Sequence, residues 1–357
     1  MSTILYVLLA LVMLGIMVAV HEAGHYLAAR ACGIAVRAFG IGFGPKLFGW
    51  TGKKNGTEYV FRLIPGGGYC AFYGEDDPQT EPGREDPRSL QLQAPWKRLV
   101  VLFAGPFMNF VLAFAVALAF YTGYGLPYAG EGVETQIISV QPGSPADVGG
   151  MLPGDIVLTM DGQPVTDNFV SLVNAWDATQ PIELTVRRGE NIQTLRVTPD
   201  FIPTENRYMM GVTLTMQAET VWIREGFGKT VSHTFDVCVS AGGAILDALK
   251  NLVTRGEGLD QMSGPVGVIN IIAKETQTYK LMGYLNMLIM ISINLGLVNL
   301  LPIPGLDGCR MLFVLYEMIF RKPVNRRTEA YIHLAGYAFL MMVMIYFTFH
   351  DVLSIFG

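Results

Sequence analysis

The chain has 357 residues, a net charge of −5 and only 15% charged residues, against about 25% in ordinary soluble proteins. With a mean hydropathy of +0.37, it reads as a polytopic α-helical membrane protein with water-facing parts, not as two or three soluble domains. The small net charge and the lack of any Lys/Arg block exclude a nucleic-acid partner.

The first apolar run covers residues 4–29. Met1-Ser2-Thr3 supplies no positive n-region and no small-residue cleavage site precedes His21, so a retained transmembrane helix is expected rather than a cleaved signal peptide. The run turns polar at His21-Glu22-Ala23-Gly24-His25. On a helix, positions i and i+4 share a face, so His21 and His25 can offer two imidazoles to one Zn2+ ion. Glu22 sits one step round, placed to act as a general base without entering the ligand set; this is the logic of the H-E-x-x-H motif. Such groups at membrane depth are costly and mark a functional interior by default.

The following loop carries Gly40-Ile41-Gly42-Phe43-Gly44-Pro45 and then Phe61-Arg62-Leu63-Ile64-Pro65-Gly66-Gly67-Gly68-Tyr69. Residues 58–64 alternate as a strand does, so a membrane-associated β-hairpin with a free edge is expected; a turn-rich loop is the ordinary alternative. Residues 74–89 are acidic and Pro-rich and read as a loop.

A second span covers residues 99–121, closing an N-terminal membrane core of residues 1–123. Residues 124–222 read as an inserted α+β unit. It has strands at 133–140, 156–160, 182–187 and 192–197, a helix at 168–176, and turns at Gln141-Pro142-Gly143-Ser144-Pro145 and Asp161-Gly162. The "G-S-P-A" turn and the "P-G-D-I-V" strand start resemble a PDZ domain of the bacterial protease type over residues 132–199, with room for one such domain. A PDZ core captures an extended chain as an added strand. Residues 225–251 mix apolar positions with Lys229, Asp236, Asp247 and Lys250, which predicts an amphipathic helix at the outer surface rather than a fifth span, within a juxtamembrane segment of residues 223–280.

A C-terminal membrane core, residues 281–357, holds spans at 281–301 and 331–349. The third span carries Asn286, Asn294 and Asn299 and ends at Leu301-Pro302-Ile303-Pro304-Gly305-Leu306-Asp307-Gly308. Lys and Arg concentrate in the loop after span one and between spans three and four, so those loops are expected in the cytoplasm, and both termini and the inserted unit outside. A catalytic zinc takes three protein ligands. Asp307 is the best third candidate, since it falls on the same side as His21 and His25 after a proline-broken helix. Taken alone, Asp-Gly is an ordinary helix-ending turn. His233 falls on the other side of the membrane, and His333 and His350 read as hydrogen-bonded or interfacial. The scattered Cys32, Cys70, Cys238 and Cys309 form no C-x-x-C pair and read as free thiols.

Together these motifs, with Gly105-Pro106-Phe107-Met108-Asn109, resemble the site-2 protease family, and within it the bacterial regulator-of-sigma-factor proteases. Many relatives have Gly-His where this chain has Cys309-Arg310, and some have two PDZ domains. The resemblance implies a multi-pass protein of the bacterial inner membrane with its site toward the cytoplasm and its PDZ domain, of unknown ligand, outside. It implies a zinc metalloendopeptidase that cuts transmembrane segments of single-span membrane proteins after prior trimming, such as anti-sigma factors or remnant signal peptides. Catalytic Glu22 and ligands His21, His25 and Asp307 follow. Asn299 and Asn294 would contact or support the substrate, although interhelical hydrogen bonding fits them equally on sequence alone. Phe61, Pro65, Gly66, Gly67, Gly68 and Tyr69 would offer the unwound segment a strand edge.

Two other classes compete. A transporter with intramembrane histidines would show internal duplication, and none is seen. A silent membrane-anchored PDZ scaffold would need no general base at Glu22.

Overall fold

The computed structural model describes residues 3–73, 86–165, 168–177, 180–203, 207–256, 258 and 263–356; the acidic stretch at 74–85 falls outside them. The chain divides into two units, Met1–Gly123 with Phe227–Gly357, and Tyr124–Gly226.

The first unit contains α1 (Thr3–Ala31), β1 (Val36–Thr51), β2 (Glu58–Phe72), α2 (Pro95–Tyr124) and, after the inserted unit, a helical C-terminal half. β1 and β2 are long strands that bend. Residues 38–41 of β1 pair with 68–71 of β2 on one side and with 58–61 on the other, while residues 46–51 pair with 58–62. The result is a curled sheet of four segments in the order 46–51, 58–62, 38–41, 68–72. The bend in β1 falls where Gly42 and Gly44 take positive φ, a conformation that side chains with a Cβ resist. Among the described residues no strand pairs with the outer side of 68–72. On the opposite part of the curl, Phe61 stacks on Phe48 and more distantly on Trp50, and Lys46 bonds Glu58 at 2.7 Å, holding that carboxyl below its usual range.

Numbering continues through the inserted unit, so the later helices are α5 to α8. Its strands are β3 (Leu126–Val140), β4 (Ile156–Met160), β5 (Gln163–Pro164), β6 (Ile182–Arg188), β7 (Asn191–Val197), β8 (Asp200–Ile202), β9 (Arg207–Met209) and β10 (Val212–Ile223), with α3 (Pro145–Val148) and α4 (Phe169–Asn174) between them. The sheet order is β10-β3-β4-β6-β7. Alternation in β6 buries Ile182, Leu184 and Val186 against Phe169 and Val173 of α4. Ser144 caps α3 through the Asp147 N–H. Asp155, fully buried, accepts two bonds from Arg188 at 2.7 and 2.8 Å and one from the Leu152 N–H at 2.9 Å. The Asp of the "P-G-D-I-V" signature thus ties a turn to β6.

The C-terminal half contains α5 (Phe227–Arg255), α6 (Pro265–Leu300), α7 (Asp307–Phe320) and α8 (Arg326–Phe356). Five helices, α1, α2, α5, α6 and α8, are long and apolar enough to cross a membrane. The sequence reading expected four. The fifth is α5, whose Cys238, Ala241 and Ile245 pack against Ala113 and Ala117 of α2 and Ile289 and Ile293 of α6. Those three are partly buried there, while Phe235, Val239, Leu246 and Val253 of α5 stay exposed. Length and composition therefore allow a fifth span without excluding the interfacial helix that the sequence suggests. α6 comprises two helical pieces meeting at Lys280 (φ 52°, ψ −130°), and the second begins where the third span was expected. Residues 275 and 283 would lie about 12 Å apart in a straight helix, yet a Cβ on Gly283 would collide with the Glu275 carbonyl. The helix doubles back there, and Ile272 and Leu288 join one cluster with Ala10, Met13 and Met17 of α1. All four cysteines are free thiols, as expected.

Candidate metal centre

α1 carries His21, Glu22 and His25 where it crosses α2 closely. Gly24 permits this approach, since a Cβ there would overlap Met108 and the Ala104 backbone. Gly105 in turn leaves space for the His25 ring. The His25 Nδ1–H donates to the Val101 carbonyl at 2.8 Å, so Nε2 faces away with its lone pair free. Pro106 lies inside α2 and supplies no N–H to the Leu102 carbonyl one turn earlier; Leu102 lines the site.

The third element is the break between α6 and α7. Pro302 and Pro304 end the helix, Gly305 turns the chain at φ +100°, and Asp307 opens α7. α8 holds this turn in place: His333 Nδ1 accepts the Gly305 N–H at 3.1 Å, and Gly336 leaves room for Pro304. Farther along α7, Glu317 accepts from Arg98 of α2 at 2.6 Å.

These elements bring three donor atoms together. His21 Nε2 lies 3.2 Å from His25 Nε2 and 3.1 Å from Asp307 Oδ2, and His25 Nε2 lies 3.3 Å from the same oxygen. Donors of a tetrahedral zinc, each about 2.0–2.1 Å from the ion, sit roughly 3.3–3.4 Å apart. The two imidazoles and the carboxylate therefore fit Zn2+ in both type and spacing, and all three are largely buried, with side chains 10%, 7% and 17% exposed. Among the described residues they form the one His/Cys/Asp/Glu group able to hold a metal ion.

A cavity of about 450 Å³ opens over the three donors, and Glu22, Gly68, Tyr69, Asn299, Arg37 and Arg310 share its lining. The Glu22 carboxylate accepts the Cys70 backbone N–H. Gly68 allows this closeness, because a Cβ on it would fall 3.0 Å from Glu22 Cγ and 2.9 Å from Val18. Gly40 and Gly67 give way to the rings of Tyr69 and Phe43. The edge at 68–72, which pairs with no further strand among the described residues, thus runs beside Glu22 and gives it the Cys70 N–H.

Of the residues singled out from sequence, His21, Glu22, His25, Asp307, Asn299, Gly68 and Tyr69 meet at this cavity. Asn299 back-bonds to the Leu295 carbonyl at 3.0 Å within its own helix. Asn294 is exposed on α6 and does not line the cavity. Phe61 sits in an interior segment of the curled sheet, so the edge near the site is 68–72 and not the whole of 61–69. Pro65 and Gly66 lie at the bend of β2, their side chains outside the description. Gly105 and Asn109 were singled out only as part of a motif, without a role, and His333 was read as hydrogen-bonded, which its bond from the Gly305 N–H bears out. Gly105 and Asn109 are i and i+4 on α2, the spacing of a shared face, and that signal was available.

The description "Peptidase family M50" matches residues 9–343. The chain is 30% identical to the regulator of sigma-W protease RasP of Bacillus subtilis over 97% of this chain and 98% of that one. It is 31% identical to a putative zinc metalloprotease of Rhizobium meliloti, covering 97% and 96%, and 33% identical to another of Campylobacter jejuni, covering 94% and 90%. The PDZ domain of an SdrC-like protein from Listeria monocytogenes aligns with 25% of this chain and 94% of its own length, at 17% identity and a TM-score of 0.22.

Proposed function

This chain belongs to peptidase family M50 and is a membrane zinc metalloprotease, and from that premise we propose that it hydrolyses peptide bonds within transmembrane segments of single-span membrane proteins. The observation that carries the proposal is the juxtaposition, among membrane helices, of three donors spaced for zinc, the Glu22 carboxylate and the outermost strand segment of the β1–β2 sheet.

Zinc bound by His21, His25 and Asp307 would supply a water of lowered pKa and polarise the scissile carbonyl. Glu22 takes the proton of the attacking water and returns it to the leaving nitrogen. The Cys70 N–H fixes the carboxylate that does this. A helical substrate shields its own peptide bonds, so it must unwind before attack. The outer edge of 68–72 accepts the released segment as an added strand and satisfies backbone groups that lipid cannot. The Asn299 amide, on the cavity wall, is the side chain placed to meet a substrate carbonyl.

The Lys/Arg distribution favours a cytoplasmic side for this site and the opposite side for the inserted PDZ-type unit. There that unit would act as a filter on the outer portion of substrates already trimmed by another protease. The sigma-W regulator of Bacillus subtilis makes an anti-sigma factor one candidate substrate.

The test is cleavage of a purified single-span substrate in detergent or nanodiscs, with and without chelator. Glu22→Gln is expected to lower the rate about 10²- to 10⁴-fold while zinc stays bound. Undiminished cleavage by that variant would rule the mechanism out.

A further inference from the structure

The chemistry proposed above leaves one fully buried polar side chain beside the metal site without a role. Asn109 of α2 is 0% exposed, and its amide nitrogen lies 3.1 Å from His21 Nδ1, the ring nitrogen on the far side from His25 and Asp307. Its carbonyl oxygen Oδ1 is buried with no hydrogen-bond partner. In that arrangement the amide donates and His21 Nδ1 accepts, which puts the proton of a neutral His21 on Nε2, the atom facing the other two donors.

A histidine that gives Nε2 to a metal carries its proton on Nδ1 and needs an acceptor there. The two ends of an amide have nearly the same shape, and their assignment follows from the hydrogen-bond network around them. Turning the Asn109 amide over places Oδ1 against Nδ1 and gives the unpartnered oxygen a donor. We infer that Asn109 accepts a hydrogen bond from His21 Nδ1–H through its side-chain carbonyl, holding His21 in the tautomer that frees Nε2 for zinc.

The backbone around Asn109 is built to hold it. Ser292 of α6, also 0% exposed, donates its hydroxyl to the Asn109 main-chain carbonyl at 2.9 Å, which ties α2 to α6 at this residue. On the same helix the Val101 carbonyl performs the matching task for His25 at 2.8 Å. One helix therefore sets both tautomers, His25 through the backbone and His21 through a side chain. At 101 the acceptor is the backbone, whatever the side chain, whereas position 109 requires a side-chain acceptor of the right length. Asn109 is a positioning residue: it acts on zinc through His21 and touches no reacting atom.

The inference rests on the zinc reading of the site, and its test separates the two. Zinc affinity of the purified full-length chain is measured by competition with a chromophoric chelator for wild type, Asn109→Leu, Asn109→Asp and His21→Ala. Leucine keeps the size and removes the acceptor; aspartate keeps the acceptor and removes the donor. Asn109→Leu is expected to bind zinc about 10- to 100-fold more weakly, and Asn109→Asp close to wild type. A purely structural role would not predict rescue by aspartate. Wild-type affinity in Asn109→Leu would overturn the inference, as would an equal loss in Asn109→Asp. Should Asn109→Leu fail to fold, Asn109→Asp decides alone, retained affinity supporting the inference and lost affinity overturning it. A wild-type chain with no more zinc affinity than His21→Ala would overturn the metal site itself.

Discussion

The ring of His25 occupies the space that a side chain on Gly105 would need: a Cβ there would fall 2.8 Å from the ring's Cδ2 and closer still to Nε2. Because His25 Nδ1 is bonded to the Val101 carbonyl, the ring cannot yield without losing that bond. Gly105→Ala is therefore expected to lower zinc affinity about 10- to 100-fold and activity with it. Zinc content per purified chain, alongside circular dichroism, checks this. Full zinc occupancy in a folded variant would show that the ring has slack.

Metal removal should be reversible and visible in stability as well as activity. Zinc would bind the folded chain through three groups brought together from residues 21, 25 and 307, which are placed to hold a metal ion. Free zinc at 100 times the dissociation constant would stabilise that state by about 2.7 kcal/mol. The wild-type unfolding temperature should rise when zinc is returned to the chelated protein, and the Asp307→Ala variant should show no such rise. A shift of equal size in the variant would mean that zinc acts elsewhere.

His333 supports Asp307 at a distance. Its Nδ1 accepts the Gly305 N–H at 3.1 Å, and its ring meets Phe313 edge-on at a centroid distance of 5.6 Å. Removing the acceptor leaves a backbone donor unpaired, worth about 1–3 kcal/mol when buried. His333→Ala should weaken zinc binding and cleavage together, and His333→Gln, which keeps an acceptor, should recover part of both. Unchanged zinc binding in His333→Ala would mean that the prolines alone set the turn.

In the inserted unit, Asp155 is 0% exposed while its partner Arg188 keeps 30% of its side chain in solvent. Asp155→Ala would strip the turn N–H of Leu152 and leave the guanidinium half-solvated. The loss is expected to be about 2–3 kcal/mol, toward the lower end of buried pairs because solvent screens the arginine. Pulse proteolysis of the full-length chain can read the unfolding of this unit directly. Wild-type resistance would show that the turn persists without its carboxylate.

Much of the site could be read from local spacing. His21 and His25 share a helix face by arithmetic that no neighbour alters, and Glu22 follows from the same helix. Asp307 came from a proline break together with the sidedness of Lys and Arg. The strands of the inserted unit were legible because alternation over five to seven residues has few rival readings, as in β6 and β7.

Other features depend on what each element meets. The apolar positions of α5 are legible in the sequence, but which of them, Cys238, Ala241 and Ile245, meet α2 and α6 is not. The pattern around Phe61 is strand-like, yet the bends in β1 and β2 put residues 58–62 inside the curl and 68–72 at its rim. The reversal at Lys280 left no glycine or proline of its own to announce it.

Sequence alone therefore determined the membrane setting and named the candidate ligands and candidate base, because each is written in short-range periodicity or charge. Tertiary structure decided which edge lies beside Glu22, which glycines make room for His25, and that Asn109 faces His21. Those are contacts between helices and strands distant in the chain, and close packing, not local propensity, selects them.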